Sequence, residues 1–430
     1  MINRIFIIGQ CTLHWGRMEF GNIGNYYIIR PMFQQLRRVF PDAELVTTMQ
    51  FSDGFCREFS IETVPMELYY DFHSKDNLPV AVAEYESACG VGDADTAFLR
   101  EVRHADLVID FSGDIWGENA DFLGKDRFLT GCYKDLTAQK LTKTVMIAGS
   151  PGPFRTETLD IAKKTYAGFS LVINRESIST QLLTAQGFDV SRTYDCACPS
   201  FLFEKAGDGE IADILKNRLS IAGDGPLVGF IMCGWNFQRG PFDAWPREDG
   251  EYDTVVRMLR EIVDSFRARI VLLSHSNGFD IPPRPFVLKR GRDFPIVSQL
   301  YSILNKNGLG EHVTLLDGVY TPGQTKAIIS HFDALISGRM HGAVAGLSQN
   351  IPTMILDYGH EPKAHKLRGF AAIAGVEDLI ADPNDMKDML EKVRKLMADR
   401  AEIKRQLTDR MKDVRKSSQK QFDFLTTVKD

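Results

Sequence analysis

The 430-residue sequence contains no run of about 18–20 uninterrupted apolar residues, the length that a helix needs to cross a bilayer. Its start, Met-Ile-Asn-Arg and the apolar run 5–8, lacks the longer apolar core and small-residue cleavage site of a signal peptide. An excess of basic residues is also missing, because 51 Lys and Arg stand against 57 Asp and Glu. The net charge of −6 disfavours a general nucleic-acid binder. We therefore expect a cytoplasmic protein without a membrane span.

The seven cysteines are scattered, and only Cys196 and Cys198 are close in sequence. An odd number of cysteines without a dense framework predicts reduced thiols rather than disulfides. No CxxC motif and no second cluster accompanies the close pair, so the sequence predicts no metal site.

Strand patterns alternate with helical patterns in two successive series. The first series has strands predicted at 5–9, 43–47, 105–110, 143–148 and 171–174, and the second at 227–233, 270–274, 313–316, 334–336 and 353–356. This alternation predicts an α/β protein with parallel sheets and right-handed crossovers. We expect one domain at 1–203, a second at 204–383, a cleft between them, and a helical tail at 384–430 that packs on the body. The irregular segment 51–92, rich in aromatic and acidic residues, predicts an insertion or lid.

The strongest functional signal is a cation and an imidazole that follow a buried strand. An apolar run ends in Ser337-Gly338, and Arg339 and His341 then open a helix of small apolar residues. Ligands of open parallel sheets bind at the carboxyl ends of the strands, where a helix N-terminus favours an anion. The pattern predicts an anionic ligand at Arg339 and His341. The alternative is that both residues only cap the helix.

Three other segments place glycine or charge beside a predicted strand end. Gly21 and Gly24 open a helix predicted at 26–40, where glycine allows a backbone to approach a ligand closely. Arg175-Glu176 opens a second helix, and it is either a ligand site or a salt bridge at a helix start or domain boundary. His275 ends the strand VLLSH and is either a ligand contact or a satisfied core histidine.

Taken in order, these motifs resemble those of the polysaccharide pyruvyl transferases. The resemblance spans roughly residues 21–370 and rests on Gly21-Asn22-Ile23-Gly24, Arg175-Glu176-Ser177, His275, Ser337-Gly338-Arg339-Met340-His341-Gly342 and the segment from Tyr358 to Lys363. It implies a GT-B-like architecture of two Rossmann-like domains, with the acceptor on the first and the donor on the second. It also implies transfer of the enolpyruvyl unit of phosphoenolpyruvate to a sugar, normally as a cyclic pyruvate ketal, in exopolysaccharide and cell-envelope biosynthesis.

The site residues carried over from this resemblance fall into two groups. Arg339 and His341 are expected to be catalytic. Substrate contacts are expected from Arg175, Glu176, Met340, Gly342, Gly21, Asn22, Gly24, Asn25, His275 and Lys363. His275 or Lys363 is expected on the phosphate, although for Lys363 a solvated face is the interpretation that the sequence favours. Glu176 is expected either as a base or as a residue that holds Arg175. Phosphoenolpyruvate is the donor substrate, and no cofactor or metal is expected.

Two features depart from the family pattern, and several alternatives stay open. Asn25 replaces the usual Asp of the first motif, and the turn from Phe111 to Trp116 is bulky where glycines are usual, which predicts an unusual acceptor pocket. A lipid-linked acceptor saccharide, a nucleotide-linked one, peripheral membrane association and homo-oligomerisation are all open. The alternative functions are a GT-B glycosyltransferase with a nucleotide-sugar donor and a non-catalytic sugar- or anion-binding relative.

Overall fold

The computed structural model of the protein describes residues 2–13, 15–117, 124–219, 224–238, 244–281, 284–358 and 364–428. Their contacts divide the chain into two compact units. Unit 1 comprises Met1–Glu19, Ile29–Pro199 and Ser417–Asp430, and unit 2 comprises Phe20–Ile28 and Ser200–Lys416. Each unit is built around a parallel sheet, as the alternating pattern predicts.

Unit 1 contains a sheet of seven parallel strands. The strands are β1 (Arg4–Ile8), β2 (Glu44–Thr47), β3 (Ile61–Thr63), β4 (Leu107–Asp110), β5 (Lys143–Gly149), β6 (Leu171–Asn174) and β7 (Thr193–Asp195). Their order in the sheet is β3-β2-β1-β4-β5-β6-β7. The helices are α1 (Ile23–Val39), whose first turns belong to unit 2, α2 (Asp53–Phe59), α3 (Asn77–Ala88), α4 (Ala97–His104), α5 (Lys125–Leu141), α6 (Thr156–Gly168) and α7 (Ser177–Ala185). Strands β4 and β6 are buried throughout, which explains their continuous apolar runs.

The segment 51–92 is part of this fold, so its interpretation as an insertion or lid was wrong. It contains α2, α3 and the edge strand β3, which pairs with β2 in parallel. Two of the three β3 residues are exposed, so the strand has no apolar run that a sequence pattern could show.

Unit 2 contains a sheet of six parallel strands and a separate hairpin. The strands are β8 (Leu227–Ile231), β9 (Arg269–Leu272), β10 (Asn277–Asp280), β11 (Val287–Arg290), β12 (Val313–Leu315), β13 (Ala334–Ser337), β14 (Thr353–Leu356) and β15 (Ile380–Ala381). The sheet has the order β12-β9-β8-β13-β14-β15, and β10 pairs with β11 in antiparallel. The helices are α8 (Ala212–Ile214), α9 (Asp253–Phe266), α10 (Phe294–Lys306), α11 (Pro322–Ile329), α12 (Met340–Leu347), α13 (Ala364–Ala374), α14 (Met386–Ala398) and α15 (Arg400–Leu425).

Two short segments belong to a different unit from the one that the boundary predicted near residue 203 would give them. Phe20–Ile28 belongs to unit 2, where Tyr27 stacks on Phe203 at 4.6 Å between ring centroids. The end of α15 belongs to unit 1, where Ser417 Oγ accepts a hydrogen bond of 3.0 Å from the Ala197 N–H. The tail is helical, as expected, and α14 packs against α9. None of the helices in the described ranges is both long and apolar enough to cross a membrane.

Each sheet has one point at which the strand order reverses direction along the chain. This point lies between β1 and β4 in unit 1 and between β8 and β13 in unit 2. Ligands of open α/β sheets bind in the crevice at the carboxyl ends of such strands. Arg339 and His341 follow β13 directly and therefore lie at the switch point of unit 2.

Candidate functional site

Arg339 is paired with a buried carboxylate that the sequence analysis did not identify. Its Nε donates to Asp293 Oδ2 at 3.0 Å, and its Nη2 donates to Asp293 Oδ1. Asp293 is fully buried and Arg339 is 8% exposed, so this is a bidentate, charge-assisted pair in the interior. The Asp293 N–H donates to Ser276 Oγ at 3.1 Å. Arg339 therefore has only Nη1 outside the fork with Asp293.

His341, the second residue of α12, lies directly against Gly24 of the first predicted motif. A Cβ atom at Gly24 would lie 2.6 Å from His341 Cβ and 2.7 Å from its Nδ1, so only glycine allows this approach. Asn22 caps α1, because its Oδ1 accepts a 3.0 Å hydrogen bond from the Gly24 N–H. Gly24 in the first turn of α1 thus lies against a side chain from the first turn of α12, and both helix N-termini carry positive partial charge.

His275 follows β9 and is almost completely buried, at 1% exposure. Among the described residues, neither ring nitrogen has a hydrogen-bond partner. Burial lowers the pKa of His275 to about 3; the charge of Asp293 opposes this and that of Arg339 adds to it. The ring is therefore neutral at ordinary pH, with one donor and one acceptor available to a ligand. Tyr27 packs edge-on against it at 5.5 Å between centroids.

The Gly21–Asn25 segment is joined to the His275 strand end by backbone pairing. Asn22 forms an isolated antiparallel bridge with Ser276, the residue after His275. The N–H of Asn25 donates to the Asn22 carbonyl at 2.9 Å, within the first turn of α1. Gly21 ends the helical turn that precedes α1. The structure therefore brings this motif together with His275 and His341, within unit 2.

The glycines around Arg339 are explained by close packing on the sheet. A Cβ atom at Gly342 would lie 2.6 Å from Ser337 Oγ and 3.0 Å from Ile231 Cδ1, and Met340 beside it is buried. A ligand contact from Gly342 or Met340 stays a prediction.

Asn236 is a further buried residue of the switch point that the sequence analysis missed. Its Oδ1 accepts from the Cys233 N–H at 2.9 Å, and its Nδ2 donates to the Leu356 carbonyl at 3.3 Å. Gly338 abuts Asn236 so closely that a Cβ atom would not fit. Asn236 thus ties the loop after β8 to the ends of β13 and β14. Burial raises the pKa of Cys233 to about 11, and its protonated thiol lies 3.3 Å from the Gly338 carbonyl, which accepts its hydrogen bond.

The other predicted pair, Arg175-Glu176, belongs to unit 1. Arg175 follows β6 and is 2% exposed; its Nε donates to Ser150 Oγ at 2.9 Å, and its Nη2 lies 3.5 Å from Asp114 Oδ1. Glu176 caps α7, because its carboxylate accepts from the Ser179 N–H at 3.0 Å and from the Ser179 hydroxyl. A joint role of Arg175 with Arg339 stays a prediction, and Lys363 lies outside the described residues.

The switch point of unit 1 holds two buried carboxyl groups. Asp110 ends β4 beside Asp135, and it accepts a hydrogen bond of 2.8 Å from Ser112 Oγ. Burial raises the pKa of Asp110 to about 7 and that of Asp135 well above its usual value, so the pair retains a proton. Strand-end position was the available signal for Asp110, but nothing in the sequence indicated its partner.

Two aromatic residues of the bulky turn after β4 are buried. Phe111 and Trp116 are 1% and 2% exposed, and Trp116 Nε1 donates to Asp135 Oδ2 at 3.3 Å. These aromatic side chains belong to the core, so they give no support to the unusual acceptor pocket expected from them. In the described part of the chain, no three His, Cys, Asp or Glu side chains gather as a candidate metal site.

Comparison with solved structures shows a shared fold. A glycosyltransferase from Rickettsia africae ESF-5 superposes with a TM-score of 0.59 at 8% identity, covering 99% of this chain and 98% of its own. The Anabaena protein Alr3699/HepE in complex with UDP gives 0.59 at 12% identity, with coverages of 99% and 100%. The UDP-GlcNAc 2-epimerase from Methanocaldococcus jannaschii gives 0.53 at 12% identity, with 92% of each chain covered. The fold is therefore GT-B-like, as the resemblance implies.

Comparison at the level of sequence identifies the family. A search among curated proteins gave no significant match. The family model described as polysaccharide pyruvyl transferase matches residues 22–360, which include the Gly24, His275, Arg339 and His341 positions described above. The chain belongs to the polysaccharide pyruvyl transferase family.

Proposed function

We propose that the protein transfers the enolpyruvyl unit of phosphoenolpyruvate to a sugar of a polysaccharide, a glycan or its precursor, and forms a pyruvate ketal. The observation that carries the proposal is the arrangement at the switch point of unit 2. There Arg339 is paired with Asp293, neutral His275 is buried without a hydrogen-bond partner among the described residues, and Gly24 at the N-terminus of α1 lies against His341 at the N-terminus of α12. Family membership supports the same reaction class.

The reaction requires anion binding and proton transfer in one place. Protonation of C3 of the enol makes C2 electrophilic, and one sugar hydroxyl then adds to C2. A second hydroxyl displaces the phosphate and closes the ketal, so the two hydroxyl protons end on C3 and on the departing phosphate. An imidazole is suited to such proton transfers near neutral pH, and a positioned group of this kind contributes about 10²–10⁴ in rate. We assign this role to His341.

Donor binding is assigned to Arg339, His275 and the two helix N-termini. Asp293 fixes the plane of the Arg339 guanidinium, so that Nη1 reaches a carboxylate or phosphate oxygen without losing side-chain entropy on binding. The His275 N–H can donate to a second oxygen, and the two helix N-termini add positive partial charge. Arg175 and Lys363 are proposed as further donor contacts. We place the reaction in cytoplasmic synthesis of cell-envelope polysaccharide.

The test is turnover of phosphoenolpyruvate with a panel of sugars, measured as phosphate release and as mass of the pyruvylated product. We expect His341→Ala and Arg339→Ala each to lower the rate at least a hundredfold. The controls are His331→Ala and Arg218→Ala, which remove a His and an Arg paired with the surface carboxylates Asp208 and Asp317. Unchanged turnover in both site variants would exclude the assignment.

A second candidate is a glycosyltransferase with a nucleotide-sugar donor, because HepE of the same fold is known in complex with UDP-glucose. Thermal shift separates the two: phosphoenolpyruvate stabilises a pyruvyl transferase, whereas a UDP- or GDP-sugar alone stabilises the alternative. A nucleotide sugar that is stabilising and also becomes pyruvylated is an acceptor. Binding of phosphoenolpyruvate without phosphate release for any acceptor would indicate a non-catalytic relative.

A further inference from the structure

The β10–β11 hairpin is connected at both ends to residues of the unit 2 site. Its first strand follows His275 and Ser276, and its second strand leads within three residues to Asp293. The base of the hairpin is fixed, because Asn277 Nδ2 donates to the Tyr320 carbonyl at 2.9 Å and Arg290 Nε donates to the Asp317 carbonyl at 2.8 Å. The base of the hairpin is therefore held at a defined position relative to Asp293.

The far end of the hairpin exposes large apolar side chains. Phe286 is 46% exposed and the adjacent Val287 is 51% exposed. The Phe20 ring packs against two rings of the hairpin, with its centroid 4.6 Å from that of Phe286 and 6.0 Å from that of Phe279. Single exposed apolar residues are common, but an exposed cluster of aromatic and apolar side chains is typical of an interaction surface.

The same hairpin carries a positive charge that contrasts with the rest of the chain. Residues 277–292 contain four cations and one carboxylate, a net charge of +3 in a chain of net charge −6. The Arg284 and Lys289 side chains are 77% and 51% exposed, and the single carboxylate, Asp280, lies between them at 3.8 and 2.6 Å. Asp280 neutralises only one of these charges, so the hairpin end stays cationic.

We propose that this hairpin docks the protein on a bilayer that contains anionic lipids. Phe286 and Val287 enter the boundary between head groups and acyl chains, while Arg284 and Lys289 contact lipid phosphates. The combination favours lipid over a protein partner, because exposed apolar side chains and exposed cations lie within a few residues of one another on the same hairpin. Together the hairpin residues provide both the apolar and the electrostatic contribution that reversible membrane binding needs.

Docking also selects an acceptor class, and this step rests on the proposed function. Because the hairpin begins beside His275 and ends beside Asp293, membrane binding brings a lipid-linked sugar close to Arg339 and His341. A lipid-linked saccharide, rather than a soluble nucleotide sugar, is then the acceptor.

The experiment is co-sedimentation of the full chain with vesicles, without donor or acceptor. Vesicles of equal parts phosphatidylglycerol and phosphatidylcholine should bind the protein, whereas pure phosphatidylcholine should bind it at least tenfold more weakly. Binding should fall when salt rises from about 50 mM to about 500 mM, because salt screens exposed charges. No binding to either vesicle, or equal binding to both, overturns the proposal.

Two independent double variants locate the surface. Phe286→Ser with Val287→Ser removes the apolar side chains, and Arg284→Glu with Lys289→Glu reverses two charges. Each should lower vesicle binding about tenfold or more. The control Val91→Ser changes a valine of unit 1 that is 80% exposed, and it should bind as the wild type does. Circular dichroism and the unperturbed melting temperature establish that each variant is folded.

Further outcomes would overturn the proposal. Wild-type binding in both folded double variants would show that another surface contacts lipid. A dimer in sedimentation velocity that the apolar double variant abolishes, without vesicle binding, would assign the hairpin to self-association. Because vesicle binding is measured without turnover, its failure leaves phosphate release with a soluble acceptor intact and is distinguishable from failure of the proposed function.

Discussion

Asp293 and Arg339 form a buried bidentate ion pair at the switch point of unit 2. Arginine in a family motif would ordinarily be assigned to the anionic substrate alone. Here the charge of Arg339 is already balanced by a carboxylate that is fully buried. The attraction for phosphoenolpyruvate therefore does not come from the Arg339 charge alone. It comes from the Arg339–Asp293 pair, the helix N-termini and any further cations together. Asp293 is a positioning residue in this arrangement.

Removing the charge of Asp293 should destabilise the protein strongly. Asp293→Asn leaves a buried guanidinium without its counter-charge, and breaking such a pair costs roughly 3–5 kcal/mol of unfolding free energy. The double variant Asp293→Asn with Arg339→Met should recover much of that loss but no activity. Urea unfolding measures the first effect and phosphate release the second.

The control is Asp317→Asn, in an exposed pair with Arg218, which should lower the free energy of unfolding by no more than about 1 kcal/mol. Equal costs for the two single variants would contradict the assignment.

Replacing Gly24 by alanine should displace His341. The added methyl group would lie 2.6 Å from His341 Cβ, closer than packed carbon atoms approach, so the imidazole or α1 must move. We expect at least a tenfold loss of turnover, since small displacements of a catalytic group are costly. The control is Gly54→Ala, also the second residue of a helix, whose nearest atom is 3.8 Å away. It should leave turnover unchanged and stabilise by up to about 1 kcal/mol. Full activity of Gly24→Ala would contradict the role of this contact.

The sequence predicted the strands well because central parallel strands are continuous apolar runs. The bounds of β6 and β14 agree with the prediction residue for residue. The edge strand β3 was missed because only Ile61 of its residues is buried. Local pattern identifies strands that are buried on both faces and fails for strands at the edge.

The site was predictable where it follows a strand and not where it depends on distant contacts. Arg339, His341 and His275 each follow a strand, and that position was visible in the sequence. Asp293 lies after an antiparallel hairpin at the N-cap position of α10, so nothing in the local sequence distinguishes it from an ordinary capping residue, although its side chain makes no capping hydrogen bond. The contact of Gly24 with His341 joins segments far apart in the chain, and a single sequence carries no signal for it.

The Asp110–Asp135 pair should make stability depend on pH. Burial raises the pKa of Asp110 to about 7 in the folded state, against about 3.9 for an unfolded Asp. The folded state therefore binds more protons between these values, and its stability is lost as pH rises from about 4 to about 7. Asp110→Asn cannot ionise, so its stability relative to the wild type should increase towards pH 8, by up to about 4 kcal/mol. Urea unfolding at pH 5 and pH 8 tests this, with exposed Asp160→Asn as the control. A difference that is independent of pH would contradict the buried pair.

His275 should make the stability of the protein depend on pH in the opposite direction to the Asp110–Asp135 pair. It should also contribute to the binding of phosphoenolpyruvate. Its pKa of about 3 lies below the unfolded value of about 6.5, so the unfolded state binds the extra proton and stability falls as pH drops from 6.5 towards 3. His275→Phe removes this dependence, and it also removes two buried nitrogens that have no partner among the described residues.

At pH 7 the His275→Phe variant should therefore be as stable as the wild type or more so, because an unsatisfied buried polar group costs about 1–3 kcal/mol. The same variant should lose most of the thermal stabilisation by phosphoenolpyruvate, since the imidazole N–H is a proposed contact of the donor. His104→Phe, at an exposed helix end, is the matched control. A variant that is strongly destabilised yet still responds fully to phosphoenolpyruvate would show that His275 is a core residue and not a ligand contact.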